Sequence, residues 1–151
     1  MYRKILVPLD GSEFAECVLP HAKAVATGCQ VPEVVLLYVV EPVRQPARAY
    51  MDSSVLEQAQ RDSMTSAKDY LNKVSSDLNL PGSTVQTAVV EGYPGEQILD
   101  YAEKNQVDLI TMSTHGRSGV ARWAVGSIAD RVLRHSVAPV LVSSPAACRI
   151  G

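Results

Sequence analysis

The chain has 151 residues, of which 46% are apolar and 20% charged, and its formal net charge is −2. That length suits one domain and lets the folded chain bury roughly 70% of the surface it exposes when unfolded, while the composition excludes a disordered chain and a membrane-embedded one. No block of Lys or Arg stands out, which excludes DNA and RNA as main partners.

Arg3 and Lys4 give a short basic start, but the apolar run after them stops at Pro8-Leu9-Asp10, well short of a signal-peptide core. No run approaches the ~20 residues of a membrane span. Cytoplasm is the expected compartment, with no membrane partner. The three cysteines, Cys17, Cys29 and Cys148, show no C-x-x-C spacing, so neither a disulfide framework nor a zinc site is expected. Cys17 reads as a small buried hydrophobe in a helix.

Lys4 to Leu9 reads as a strand buried on both faces, ending at Asp10-Gly11-Ser12. Ser12 can cap a helix that Glu13 and Glu16 favour at its positive end, with Val18, Ala22, Val25 and Ala26 inward and Gly28 as its stop, about four turns in all. Val34 to Val40 is the second buried strand, rich in β-branched residues. Glu41 to Ser54 is a loose stretch, either a lid or a plain connection. Leu56, Ala59, Ser63, Ala67, Tyr70, Leu71, Val74 and Leu78 then mark one face of a long amphipathic helix, closed by Pro81-Gly82.

Thr84 to Val90 alternates weakly and suits an edge strand. Pro94 opens a helix with Ile98, Leu99 and Ala102 inward. Val107 to Met112 is the fourth strand, a helix follows near Ser127 to His135, and Pro139 to Ser143 is the fifth strand. Strands alternating with helices through five rounds predict an α/β fold, an open, doubly wound, five-stranded parallel sheet with helices on both faces, because parallel neighbours need right-handed crossovers. The domain is expected over residues 1–144, with 145–151 as a C-terminal tail.

Ligands of such sheets bind beyond the carboxyl ends of the strands, where the winding direction reverses. Two loops qualify: Asp10-Gly11-Ser12, and Ser113-Thr114-His115-Gly116-Arg117-Ser118-Gly119. In the second, glycines let backbone N–H groups approach an anion and Arg117 adds positive charge. Gly126-Ser127 opens the last helix, whose unpaired N–H groups and Ser127 hydroxyl suit a phosphate. A structural turn is the alternative for the glycines. Neither G-x-x-x-x-G-K-[ST] nor G-x-G-x-x-G occurs where a P-loop or dinucleotide-binding enzyme requires it.

Ser113-Thr114-His115-Gly116, then nine residues, then Gly126-Ser127 resembles the universal stress protein signature G-x-x-G, nine residues, G-[ST], which marks the ATP-binding members of that family. Ile5 to Ser12 and Ala138-Pro139-Val140-Leu141-Val142 are similar to the family's opening and close. Ser113 replaces the signature's first glycine. The resemblance implies an adenine-nucleotide alpha hydrolase-like fold with strand order 3-2-1-4-5. It implies that Pro8, Leu9 and Asp10 border the adenosine, with Asp10 near the ribose, and that Val39 meets adenine through its backbone. Met112, Ser113, Thr114, His115, Gly116, Arg117, Ser118 and Gly119 would wrap ribose and phosphates, and Gly126, Ser127 and Ile128 would hold the phosphate tail. The implied cofactor is ATP or a related adenine nucleotide, with Mg²⁺ carried by the phosphates rather than by protein ligands. A homodimer through the fifth strand, at Val140, Leu141 and Val142, is implied too, and that apolar final strand is itself a candidate for edge pairing.

The residues leave alternatives. Asp10 can tie down its own loop instead of meeting a ribose, and Trp123 can cover phosphates or sit in the core. No residue is assigned a catalytic role, since His115 has no evident orienting carboxylate. Three function classes follow: a nucleotide-binding regulatory or sensor protein of the stress response, a slow ATP-hydrolysing or nucleotide-transferring enzyme, and a nucleotide-free dimeric interaction module.

Overall fold

The computed structural model describes residues 1–43, 49–115, 125–144 and 148. Its strands are β1 (Lys4–Leu9), β2 (Glu33–Val40), β3 (Thr84–Glu91), β4 (Leu109–Ser113) and β5 (Val140–Ser143). Its helices are α1 (Glu13–Glu16), α2 (Leu19–Gly28), α3 (Ser53–Leu78), α4 (Pro94–Lys104) and α5 (Ser127–His135). The strands form one parallel sheet in the order β3-β2-β1-β4-β5, the architecture read from the strand–helix alternation and the order that the family resemblance implies.

Alternation along each strand divides the core in two. Ile5, Val7, Val34, Leu36 and Leu109 face one side, where Val18, Ala22 and Ala26 of the α1–α2 segment and Leu71, Val74 and Leu78 of α3 cover them. Leu6, Val35, Leu37, Ile110 and Met112 face the other, under Ile98 and Ala102 of α4 and Ala129 and Val132 of α5. The central strands are buried on both faces, which explains their unbroken apolar sequence. β3, with its threonines and Gln86, is an edge.

Three local readings differ from expectation. The single helix expected from Ser12 to Gly28 is two, α1 and α2, with Cys17 and Val18 between them. Pro20 is the cause: it has no N–H to offer the Glu16 carbonyl four residues back, and its ring crowds that carbonyl. α3 ends at Leu78, before Pro81-Gly82, because Asn79 takes the left-handed conformation at φ 39°. The fourth strand begins at Leu109 instead of Val107, since Gln106 also turns at positive φ and Val107 packs into the core from the turn.

The cysteine reading is corrected as well. Cys17 is buried as expected, but its sulfur is bonded to that of Cys148, 131 residues away, with the Cα atoms 4.9 Å apart. No local spacing announces such a pair, because the fold alone brings Cys148 next to Cys17. Cys29 is free.

Candidate functional site

The sheet opens at its carboxyl edge where the winding reverses. β1 pairs with β2 as far as Leu9↔Tyr38, but with β4 its register covers Ile5↔Leu109 and Leu6↔Ile110. Pro8 lies beyond that pairing. Its missing N–H cannot donate to a neighbouring strand, so the residue suits a place where two strands part. The loops after β1 and β4 leave the sheet on either side of this gap, the position at which open α/β sheets bind ligands.

On the β1 side, Asp10 organises the turn. Its Oδ1 accepts the Ser12 amide at 2.9 Å and the Ser12 hydroxyl at 2.6 Å. Ser12 Oγ in turn accepts the Ala15 amide at 3.1 Å as the N-cap of α1. Gly11, between them, has φ +84°, a conformation that glycine adopts without steric cost. The Tyr38 hydroxyl donates to the Asp10 carbonyl at 3.2 Å. The loop-tying role open to Asp10 in the sequence is therefore realised.

On the β4 side, Thr114 joins three elements. Its amide donates to the Ser143 carbonyl at the end of β5, and its carbonyl accepts the Gly126 amide at 2.8 Å. A Cβ on Gly126 would lie 2.5 Å from that carbonyl oxygen, so only glycine permits the approach. This brings the two ends of the Ser113-to-Ser127 motif into contact. No side chain caps α5 at its start, and its first intrahelical bond runs from the Asp130 amide to the Gly126 carbonyl. The N–H groups of the first turn thus point outward at the positive end of the helix dipole. Ser127 and Ile128 are exposed there.

Ser113 is buried and ends β4 as a strand residue outside the left-handed region. Its backbone does not need the glycine that it replaces. The Ser113 hydroxyl accepts the His115 amide at 3.4 Å, and His115 Nδ1 lies 2.8 Å from Thr114 Oγ1. His115 Nε2 is buried and has no hydrogen-bond partner among the described residues. Met112 is buried beneath the loop. Gly116, Arg117, Ser118, Gly119 and Trp123 lie outside the described residues.

A cleft of about 650 Å³ opens beside the Asp10 turn. Gly11, the carboxyl end of β2 including Val39, and Asp62, Ser66 and Tyr70 of α3 line it. Of the residues expected at the site, Val39 is in its wall and Asp10 adjoins it through Gly11. Tyr38 and Tyr70 are the residues that sequence reasoning missed here. Their rings meet edge-on at 5.9 Å, and the Tyr70 hydroxyl donates to Glu16 Oε1 at 2.8 Å. Burial first, then the bond to the Glu16 carboxylate, pushes the Tyr70 phenol well above its ordinary range, so it remains a donor. The sequence signal was only an inward position on α3, which says nothing of a partner on α1.

The site is thus a glycine-closed loop against an uncapped helix start, with the Asp10 turn across the gap and a cleft beyond it. The model of the universal stress protein family matches residues 1–144. The chain belongs to the universal stress protein family. Among its relatives is the universal stress protein MJ0577 of Methanocaldococcus jannaschii, 34% identical over 154 aligned positions covering 94% of each chain. The solved structure of MJ0577 superposes with a TM-score of 0.82, at 33% identity over 95% of this chain and 96% of that one. UspA of Lactobacillus plantarum gives a TM-score of 0.78, at 29% identity over 93% and 97%. A universal stress protein of Archaeoglobus fulgidus solved in complex with dAMP shares the fold, with a TM-score of 0.65 at 22% identity over 93% and 97%.

Among the described residues of this universal stress protein, no helix is long and apolar enough to cross a membrane, and no group of three or more His, Cys, Asp or Glu could hold a metal ion. Among the described residues, the polar groups at the site are hydroxyls, backbone amides, the Asp10 carboxylate and the His115 imidazole.

Proposed function

We propose that the protein binds an adenine nucleotide, with ATP as its ligand, and acts as a regulatory or sensor protein of the stress response. The observation that carries this reading is the close contact of Gly126 with the Thr114 carbonyl, which sets the β4 loop against the uncapped first turn of α5. Backbone N–H groups at a helix start are a ready phosphate site. Family membership supports it, as does the dAMP complex of a protein of the same fold.

In this reading Gly126, Ser127 and Ile128 hold the phosphates, together with the loop from Met112 to Gly119. Pro8, Leu9 and Asp10 border the adenosine, and the Val39 backbone reads adenine. Asp10 is already engaged with Ser12, so it would meet a ribose while holding its turn. The ion would be Mg²⁺, bound by the phosphates and water, since hard cations keep several waters when protein carboxylates are few. The protein is a cytoplasmic homodimer joined at β5, with one domain over residues 1–144 and a tail over 145–151.

The experiment is thermal unfolding with ATP and Mg²⁺, with GTP, and with inorganic phosphate. ATP should raise Tm with concentration, by an amount equivalent to about 2.7 kcal/mol at a hundred times Kd. GTP should do less, because the backbone near Val39 offers the wrong edge for guanine. Equal shifts from all three would leave a phosphate site without a nucleoside site, and no shift at all would favour the nucleotide-free module.

A further inference from the structure

Cys17 directly follows α1, a helix of four residues that begins at the Asp10–Ser12 turn, and Cys148 lies beyond β5 in the chain. Their Cα separation of 4.9 Å is inside the window of about 4.4–6.8 Å that a disulfide spans, and their sulfurs are joined. The two differ in access: Cys17 is buried and Cys148 exposed. Cys17 also has a place as a thiol, since its sulfur lies 3.2 Å from the Glu13 carbonyl oxygen, to which an S–H can donate. A reduced Cys17 thus has a backbone acceptor within reach in α1.

We propose that Cys17 and Cys148 form a reversible redox site, in which oxidation ties Cys148 to the end of α1 beside the β1 turn. The oxidant is a low-molecular-weight disulfide such as oxidised glutathione. The exposed Cys148, as thiolate, attacks one glutathione sulfur, breaks the small disulfide and releases one glutathione thiolate. Cys17 then loses its proton to solvent and attacks Cys148 Sγ, breaking the mixed disulfide and releasing the second glutathione. Two protein thiols are oxidised by two electrons, and one small disulfide becomes two thiols. Excess reduced thiol runs the sequence backwards. The closed loop spans most of the chain, so oxidation restricts the unfolded ensemble strongly. None of this depends on nucleotide binding.

The test uses the full chain. After equilibration with excess oxidised glutathione and denaturation, thiol titration should read one free thiol, Cys29, against three in the reduced protein. Peptide mapping without reductant should join Cys17 to Cys148 within one chain. Cys29→Ser should keep that bond, and Cys17→Ser should leave Cys148 carrying one glutathione as a trapped mixed disulfide. Oxidation should raise Tm in the parent protein but not in Cys17→Ser or Cys148→Ser. Three thiols surviving the treatment, a bond that uses Cys29, or a bond between chains would each overturn the proposal.

Discussion

The Gly126 amide donates to the Thr114 carbonyl at 2.8 Å, and a Cβ on Gly126 would stand 2.5 Å from the same oxygen. The glycine is thus needed for the protein's own backbone before any ligand arrives. The sequence places Gly126 only at the opening of a helix whose N–H groups suit a phosphate. The structure supplies the obstacle to a side chain there.

Gly126→Ala should therefore lose stability as well as ligand. Forcing the Cβ into place is expected to cost about 1–3 kcal/mol, a fall in Tm of roughly 2–10 °C, while far-UV circular dichroism at room temperature stays near that of the parent. Calorimetry without nucleotide isolates the structural part. An unchanged Tm would mean that the Thr114 loop moves aside freely.

Val140, Leu141 and Val142 are half-buried on an edge strand, and exposed Leu133 and Val137 lie just before them in the chain. Apolar edges invite pairing with an identical edge. Val140→Lys combined with Val142→Lys should give monomers by light scattering with the circular dichroism spectrum retained. A dimer that survives both substitutions would put the interface elsewhere.

Turnover of ATP should be slow or absent. Asp10 Oδ1 is occupied by the Ser12 amide and hydroxyl, and His115 Nδ1 faces the Thr114 hydroxyl in place of a carboxylate. Neither is arranged to activate water. Phosphate release should fall far below the roughly 1–100 s⁻¹ of kinases and should not change in His115→Ala. Fast release abolished by both His115→Ala and Asp10→Asn would make the enzyme reading the correct one.

Asp108 gives a pH prediction remote from the site. Its Oδ2 accepts the amides of Arg3 at 2.8 Å and Lys4 at 2.9 Å, fastening the start of β1 to the approach to β4. The Arg3 amide, chiefly, holds the carboxyl below its usual range. A depressed folded pKa adds stability that is present above the unfolded value of about 3.9 and is lost as pH falls through the folded value. Because the carboxyl is largely solvated, Asp108→Asn should cost no more than about 1 kcal/mol at neutral pH. The Tm gap between parent and variant should close as pH is lowered below about 4. A gap that persists at pH 2 would assign the effect to packing.

The sequence by itself determined the sheet. Lys4–Leu9 and Glu33–Val40 are apolar on both faces, which only a covered parallel sheet tolerates, and the helix patterns between strands dictate the crossovers. It also marked the ends of the candidate loop, because Gly126-Ser127 opening a helix is a local signal. What only the tertiary structure decided are relations between distant residues. Pro20 divides a helix whose apolar spacing reads as continuous. Tyr70 finds Glu16, Thr114 finds Gly126 and Ser143, and Cys17 finds Cys148. Hydrogen bonds and sulfur bonds act over a few ångströms, so they depend on which strands lie side by side, and that is a property of the packed chain rather than of any stretch of it.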